Sequence, residues 1–184
     1  MVNVYLATGF EEIEALTTVD ILRRAGVDVQ TVSIGDELTV CGAHGIKVCA
    51  DILFPQADHD ACDMIVLPGG LPGATNLEAH GGLMAQVEAF ASSGRNVAAI
   101  CASPGMVLAP HGVLEGKEAT VYPGMEDRLT AGGATPVDQG AVTAGNIITG
   151  KGPGFATEFA LAILEKLAGK ETADDVAEGF LVTR

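Results

Sequence analysis

A cysteine set where an apolar run gives way to helix-start residues is a candidate nucleophile, and Ala98-Ala99-Ile100-Cys101-Ala102-Ser103-Pro104-Gly105 has that order. Val97 to Ile100, after the breakers Gly94 and Asn96, predicts a short strand buried on both faces. Ser103 suits a helix cap and Pro104 its first turn, with Met106, Val107 and Leu108 continuing the helix. Such an elbow lifts one side chain off the sheet's carboxyl edge and turns free helix N–H groups toward it. The thiolate is then favoured, and a pKa below the ordinary value of about 8.5 is expected. An isolated cysteine otherwise serves as a small buried apolar residue, and this stretch alone leaves both readings open.

Two other loops supply partners. Glu14 falls at the start of a predicted helix over residues 11–25 and shares a face with Glu11 and Thr18. Glu11 and Glu12 are explained as anions near a positive helix end. Glu14 precedes Ile21 and Ala25 on the stripe that should face the sheet. Buried there, its carboxyl would have a raised pKa and could donate a hydrogen bond to a thiolate; on an outer face it would be an ordinary solvated charge. Pro68-Gly69-Gly70 follows an apolar run and offers backbone N–H groups free of side chains, either an oxyanion hole or a plain tight turn.

The elements that must position these residues alternate between strand-like and helix-like segments. Strands are expected at 2–7, 27–34, 46–48, 64–67, 97–100, 119–121, 141–143 and 147–149, and helices at 11–25, 82–92 and 155–167, besides the one after Cys101. That order implies a doubly wound, mostly parallel α/β sheet with helices on both faces, whose ligands bind beyond the strands' carboxyl ends. The 184 residues, 48% hydrophobic, fit one domain over 1–184. With 10 basic against 24 acidic residues the formal charge is −14, which disfavours nucleic acid and anionic membranes as partners. No secretory signal or membrane span is read, so the chain is expected to be cytoplasmic with its four cysteines reduced. There is no GxGxxG or GxxxxGK[ST] pattern, hence no cofactor is expected. Cys41, His44 and Cys49 match no standard ligand spacing, hence no metal either.

Gly9-Phe10-Glu11-Glu12-Ile13-Glu14-Ala15, Val66-Leu67-Pro68-Gly69-Gly70, Ala99-Ile100-Cys101-Ala102, and Gly152-Pro153-Gly154 with Glu158-Phe159-Ala160-Leu161-Ala162 together resemble the ThiJ/PfpI superfamily. The nearest subgroup is the parkinsonism-associated protein deglycases and their bacterial relatives. The resemblance implies a flavodoxin-like sandwich that forms a homodimer. It makes Cys101 the nucleophile, Glu14 its protonated partner, and the backbone at Gly69, Gly70 and Ala102 the oxyanion donors. Family members often carry a histidine near the cysteine; the matching position here is Tyr122, so a histidine-based triad loses its base. His44 reads as a surface or interface residue that could reach the pocket from another loop, and Asn76 and Pro153 are the remaining pocket candidates. The implied activity is that of a cofactor-free glyoxalase or deglycase acting on a small α-oxoaldehyde such as methylglyoxal, or on its adduct with a protein or nucleotide. The alternative is a redox sensor or stress chaperone that works through oxidation of Cys101.

Overall fold

Val2, Val4 and Leu6 leave β1 (Val2–Leu6) toward one face and Asn3 and Tyr5 toward the other, and all five are buried. This alternation, imposed by strand geometry, lets a single strand feed two cores. The computed structural model describes residues 1–183; Arg184, the last residue of the expected domain, lies outside them. After β1 come α1 (Glu12–Arg24), β2 (Val29–Ser33), β3 (Thr39–Cys41), β4 (Lys47–Cys49), β5 (Ile52–Leu53) and β6 (Met64–Leu67). Next are α2 (Gly73–Ala79), α3 (Gly81–Ser93), β7 (Asn96–Ile100), β8 (Glu118–Ala119), α4 (Glu126–Ala131) and β9 (Thr135–Pro136). The chain closes with β10 (Ala141–Ala144), β11 (Ile147–Gly150), α5 (Ala156–Ala168) and α6 (Lys170–Gly179).

Seven strands form one sheet in the order β10-β11-β7-β6-β1-β2-β5, parallel throughout except for β10 against β11. From β1 the chain builds outward through β2 and β5 on one side, then returns to add β6, β7 and β11 on the other. The reversal falls between β1 and β6, and the loops leaving β1, β6 and β7 therefore meet at one carboxyl edge. One face of the sheet is covered by α1 and α5. There Val4, Val66, Ala98 and Ile148 meet Ala15 and Leu22 of α1 and Phe159, Ile163 and Leu164 of α5. The opposite face carries Tyr5, Ile65, Val97 and Ala99 against Leu83, Val87 and Phe90 of α3. Full burial of side chains of this size stabilises the fold by about 1.5–3 kcal/mol each.

The expected helices at 11–25, 82–92 and 155–167 appear within a residue or two of those limits as α1, α3 and α5. Several elements differ from expectation. Ile46 to Val48 read as a lone strand, whereas Thr39–Cys41 and Lys47–Cys49 pair as an antiparallel ribbon outside the main sheet. The elbow does not open into an α-helix. Residues 104–108 form a π-helical turn, with the Ala109 N–H bonded to the Pro104 carbonyl five residues back. No helix among the described residues is long and apolar enough to cross a membrane.

Candidate functional site

Cys101 sits at the end of β7 with φ 66°, a left-handed conformation that costs a non-glycine residue on the order of 1–3 kcal/mol. Its neighbours hold it there. The Cys101 N–H donates to the Gly150 carbonyl of β11 at 2.9 Å, and the Tyr122 N–H donates to the Cys101 carbonyl at 2.9 Å. Ser103 does not cap a helix as its position suggested; its buried hydroxyl donates to the Pro68 carbonyl at 2.5 Å and ties the elbow to the loop after β6.

Glu14 lies on the inner face of α1 and is 1% exposed. Its Oε2 accepts the Gly69 N–H at 2.8 Å, while Oε1 is buried without a partner among the described residues. The carboxyl is hydrogen-bonded to the Cys101 thiol. Gly69 has no room for a side chain: a Cβ there would stand 2.5 Å from the Cys101 Cβ and 2.8 Å from Glu14 Oε2. Because the Gly69 N–H is taken by Glu14, the backbone N–H groups that face the sulfur are those of Gly70 and Ala102.

Burial pushes Glu14 up to about 7, against the Gly69 hydrogen bond and the thiol contact, which lower it. Burial likewise pushes the Cys101 thiol up to about 12; the Glu14 charge and hydrogen bond add to this, and the Gly70 and Ala102 N–H groups oppose it. The depressed thiol pKa expected from the elbow is thus not what the geometry produces. Two causes account for the difference: the residue is only 8% exposed, and the Glu14 carboxyl beside it opposes the thiolate. Titrating as a pair, the two groups hold two protons below about pH 7 and one above it. A thiolate beside a neutral acid arises by moving that proton from sulfur to carboxyl, with no exchange with solvent.

A cavity of about 540 Å³ opens over Cys101. Ile13, Leu71, Tyr122, Met125 and Pro153 give it an apolar side, and Glu11 and His44 a polar one. The structure therefore brings Tyr122, Pro153 and His44 to the rim, together with Gly70 and Ala102. Asn76 is elsewhere: its side-chain amide donates to the Thr8 carbonyl at 2.8 Å, and the residue lines a separate hollow beside Ser33 and Asp36. Sequence reasoning missed Ile13, Leu71 and Met125, and treated Glu11 as a helix-end charge. Ile13 carried a signal, since an isoleucine among three glutamates and off the buried stripe of α1 is 55% exposed.

A buried cysteine–glutamate pair under a left-handed elbow, at the carboxyl edge of a doubly wound sheet, defines a class of α/β proteins built around one cysteine. The chain belongs to the DJ-1/PfpI family, whose profile matches residues 1–166. It is 42% identical over 181 residues to protein dj-1beta of Drosophila melanogaster, covering 97% of this chain and 95% of that one. Identity to protein DJ-1 homolog B of Arabidopsis thaliana is 40% over 177 residues, 96% of this chain. The chain spans less than half the length of that protein and of its homolog A, 40% and 45% respectively. The glutathione-independent glyoxalase DJR-1.2 of Caenorhabditis elegans is 34% identical, with 95% of this chain and 91% of that protein aligned. The structure of oxidized Toxoplasma gondii DJ-1 superposes with TM-score 0.94 at 37% identity, covering 100% of this chain and 98% of that one.

Proposed function

We propose that this protein is a cysteine-dependent, cofactor-free glyoxalase of the deglycase type, converting methylglyoxal and related α-oxoaldehydes, free or as adducts, into hydroxy acids. The observation that carries the reading is the buried Glu14–Cys101 pair opening into a pocket. The similarity to a nematode protein named as a glutathione-independent glyoxalase supports it. The sulfur of Cys101, having passed its proton to Glu14, adds to the aldehyde carbon, and the Gly70 and Ala102 N–H groups serve the oxyanion. Glu14 gives its proton to that oxyanion, then removes the proton from the same carbon and returns it to the neighbouring carbon; with the hydroxyl proton passing to the neighbouring oxygen, the hemithioacetal becomes a thioester. Water cleaves the thioester, giving lactate and the free thiol; the sum is methylglyoxal plus water to lactic acid. Purified protein given methylglyoxal should release many equivalents of lactate per chain. Uptake of one equivalent per Cys101 thiol without lactate would overturn the reading.

A second reading has support from a different observation. A relative superposing at TM-score 0.94 is described as oxidized, and here the partnerless Glu14 oxygen beside Cys101 could donate to an oxidised sulfur. In that case Cys101 serves as a redox sensor or stress-chaperone switch, and the same assay yields no continuing lactate. A cytoplasmic location and a homodimer belong to both readings. Ile13 and Leu16 on α1 and Ile46 on the β3–β4 ribbon, all exposed, support self-association.

A further inference from the structure

Glu11, Glu12 and His44 bring two carboxylates and an imidazole together, with one ligand atom from each lying within 4.8 Å of the others. His44 Nδ1 stands 2.9 Å from Glu12 Oε2 and 3.7 Å from Glu11 Oε2. Those separations bracket the edge of about 3.4 Å expected for a tetrahedron with ligand bonds of about 2.1 Å. The other oxygen of Glu12, Oε1, accepts the backbone N–H groups of His44 at 2.8 Å and Ile46 at 3.3 Å. Oε2 is thereby aimed at the imidazole, the orienting role that outer partners play at metal centres. Gly42 is needed for this cradle, since a Cβ there would stand 2.2 Å from Glu12 Oε1. The Glu12 side chain is 5% exposed and that of His44 68%, so the cluster has a fixed floor and an open approach.

We propose that Glu11, Glu12 and His44 form a binding site for a divalent cation of the zinc class, with Glu11 Oε2, Glu12 Oε2 and His44 Nδ1 as its protein ligands and solvent completing the shell. The imidazole nitrogen favours zinc, cobalt, nickel or copper over magnesium and calcium, which take oxygen shells. Spacing did not announce the site, because Glu12 and His44 are 32 residues apart and meet only when the β3–β4 ribbon folds onto α1. The thiols weighed with His44 as ligands in the sequence, Cys41 and Cys49, are not among its donors. Glu11 and His44 also line the Cys101 pocket, so a bound cation stands at its rim whichever chemistry Cys101 performs.

Calorimetric titration of chelator-treated protein with zinc chloride tests the site. One saturable equivalent per chain is expected, weakened about 10- to 100-fold by His44→Asn and by Glu11→Gln. Cys41→Ser, Cys49→Ser and Cys101→Ser should bind like the parent. His44 is exposed enough that replacing it leaves folding intact, which a thermal melt verifies. Cobalt(II) in the same site should show d–d absorption without a thiolate charge-transfer band. Absence of saturable binding would mean an ion pair only and overturn the proposal. Binding undiminished by His44→Asn, or that disappears with a cysteine, would do the same.

Discussion

Glu12 and Glu14 leave the same first turn of α1 and are both buried, yet their carboxyls are driven in opposite directions. At Glu12, burial pushes the pKa up, but hydrogen bonds from the His44 side chain and from the backbone of Glu12, His44 and Ile46 outweigh it and hold the group below the ordinary carboxylate range. Glu14 meets a much heavier desolvation, with one backbone donor and, among the described residues, one oxygen left without a partner. Both side chains are hidden from solvent, but Glu14 lies deeper and has fewer donors, and the two differences act in the same direction. The one held low clamps a ribbon to the helix; the one held at about 7 can take up or release a proton next to a thiol.

The comparison breaks most visibly at the thiol corner. Cys101→Ser should lower lactate formation from methylglyoxal by at least about 10³-fold, since the intermediate has no sulfur to form on. Next, Glu14→Gln should lower turnover by about 10²–10⁴-fold while Cys101 remains open to alkylation, because an amide can donate a hydrogen bond but cannot relay a proton. If turnover and alkylation both match the parent, Glu14 is merely a buried helix residue.

Stability against pH sharpens the contrast, because the two glutamates contribute with opposite sign. Glu14 sits above the ordinary 4.5, so the folded chain keeps a proton that the unfolded chain has lost. Its contribution is complete below pH 4.5 and gone above about 7, a difference of about 3 kcal/mol. Glu12 sits below 4.5, so its contribution is present above that pH and lost as pH falls further. Urea unfolding of chelator-treated protein from pH 4 to 8 should show stability falling between about 4.5 and 7, with Glu14→Gln flattening that slope. A parent and a Glu14→Gln variant with the same slope would refute the raised carboxyl. The smallest effect is expected at the remaining thiols: Cys41→Ser, Cys49→Ser and Cys62→Ala together should leave turnover within a few fold.

What was legible in the chain follows the distance over which each feature is encoded. α5 was plain because Phe159, Ile163 and Leu164 repeat at helical spacing, and β7 because Val97 to Ile100 is an unbroken apolar run ended by Cys101. By contrast, α6 rests its buried side on Ala173 and Ala177, too small to mark a period, and β3 buries only Val40. The Glu14–Cys101 pairing could be proposed from its motifs. Whether the thiol is raised or lowered could not, because the direction depends on Glu14 and the Gly70 loop arriving from segments far apart in sequence. The role of the Gly69 N–H was hidden for the same reason: its partner, Glu14, lies 55 residues earlier.

The hydrogen bonds that fix the Cys101 backbone give the residue two clocks. Its amide is tied to Gly150 and its carbonyl to Tyr122, so deuterium enters that amide only when β7 and β11 part. Its sulfur faces the pocket and meets an alkylating reagent whenever the rim lets one in. A ligand that fills the pocket should slow the second process more than the first, and the two rates taken together separate occupancy of the site from stiffening of the sheet.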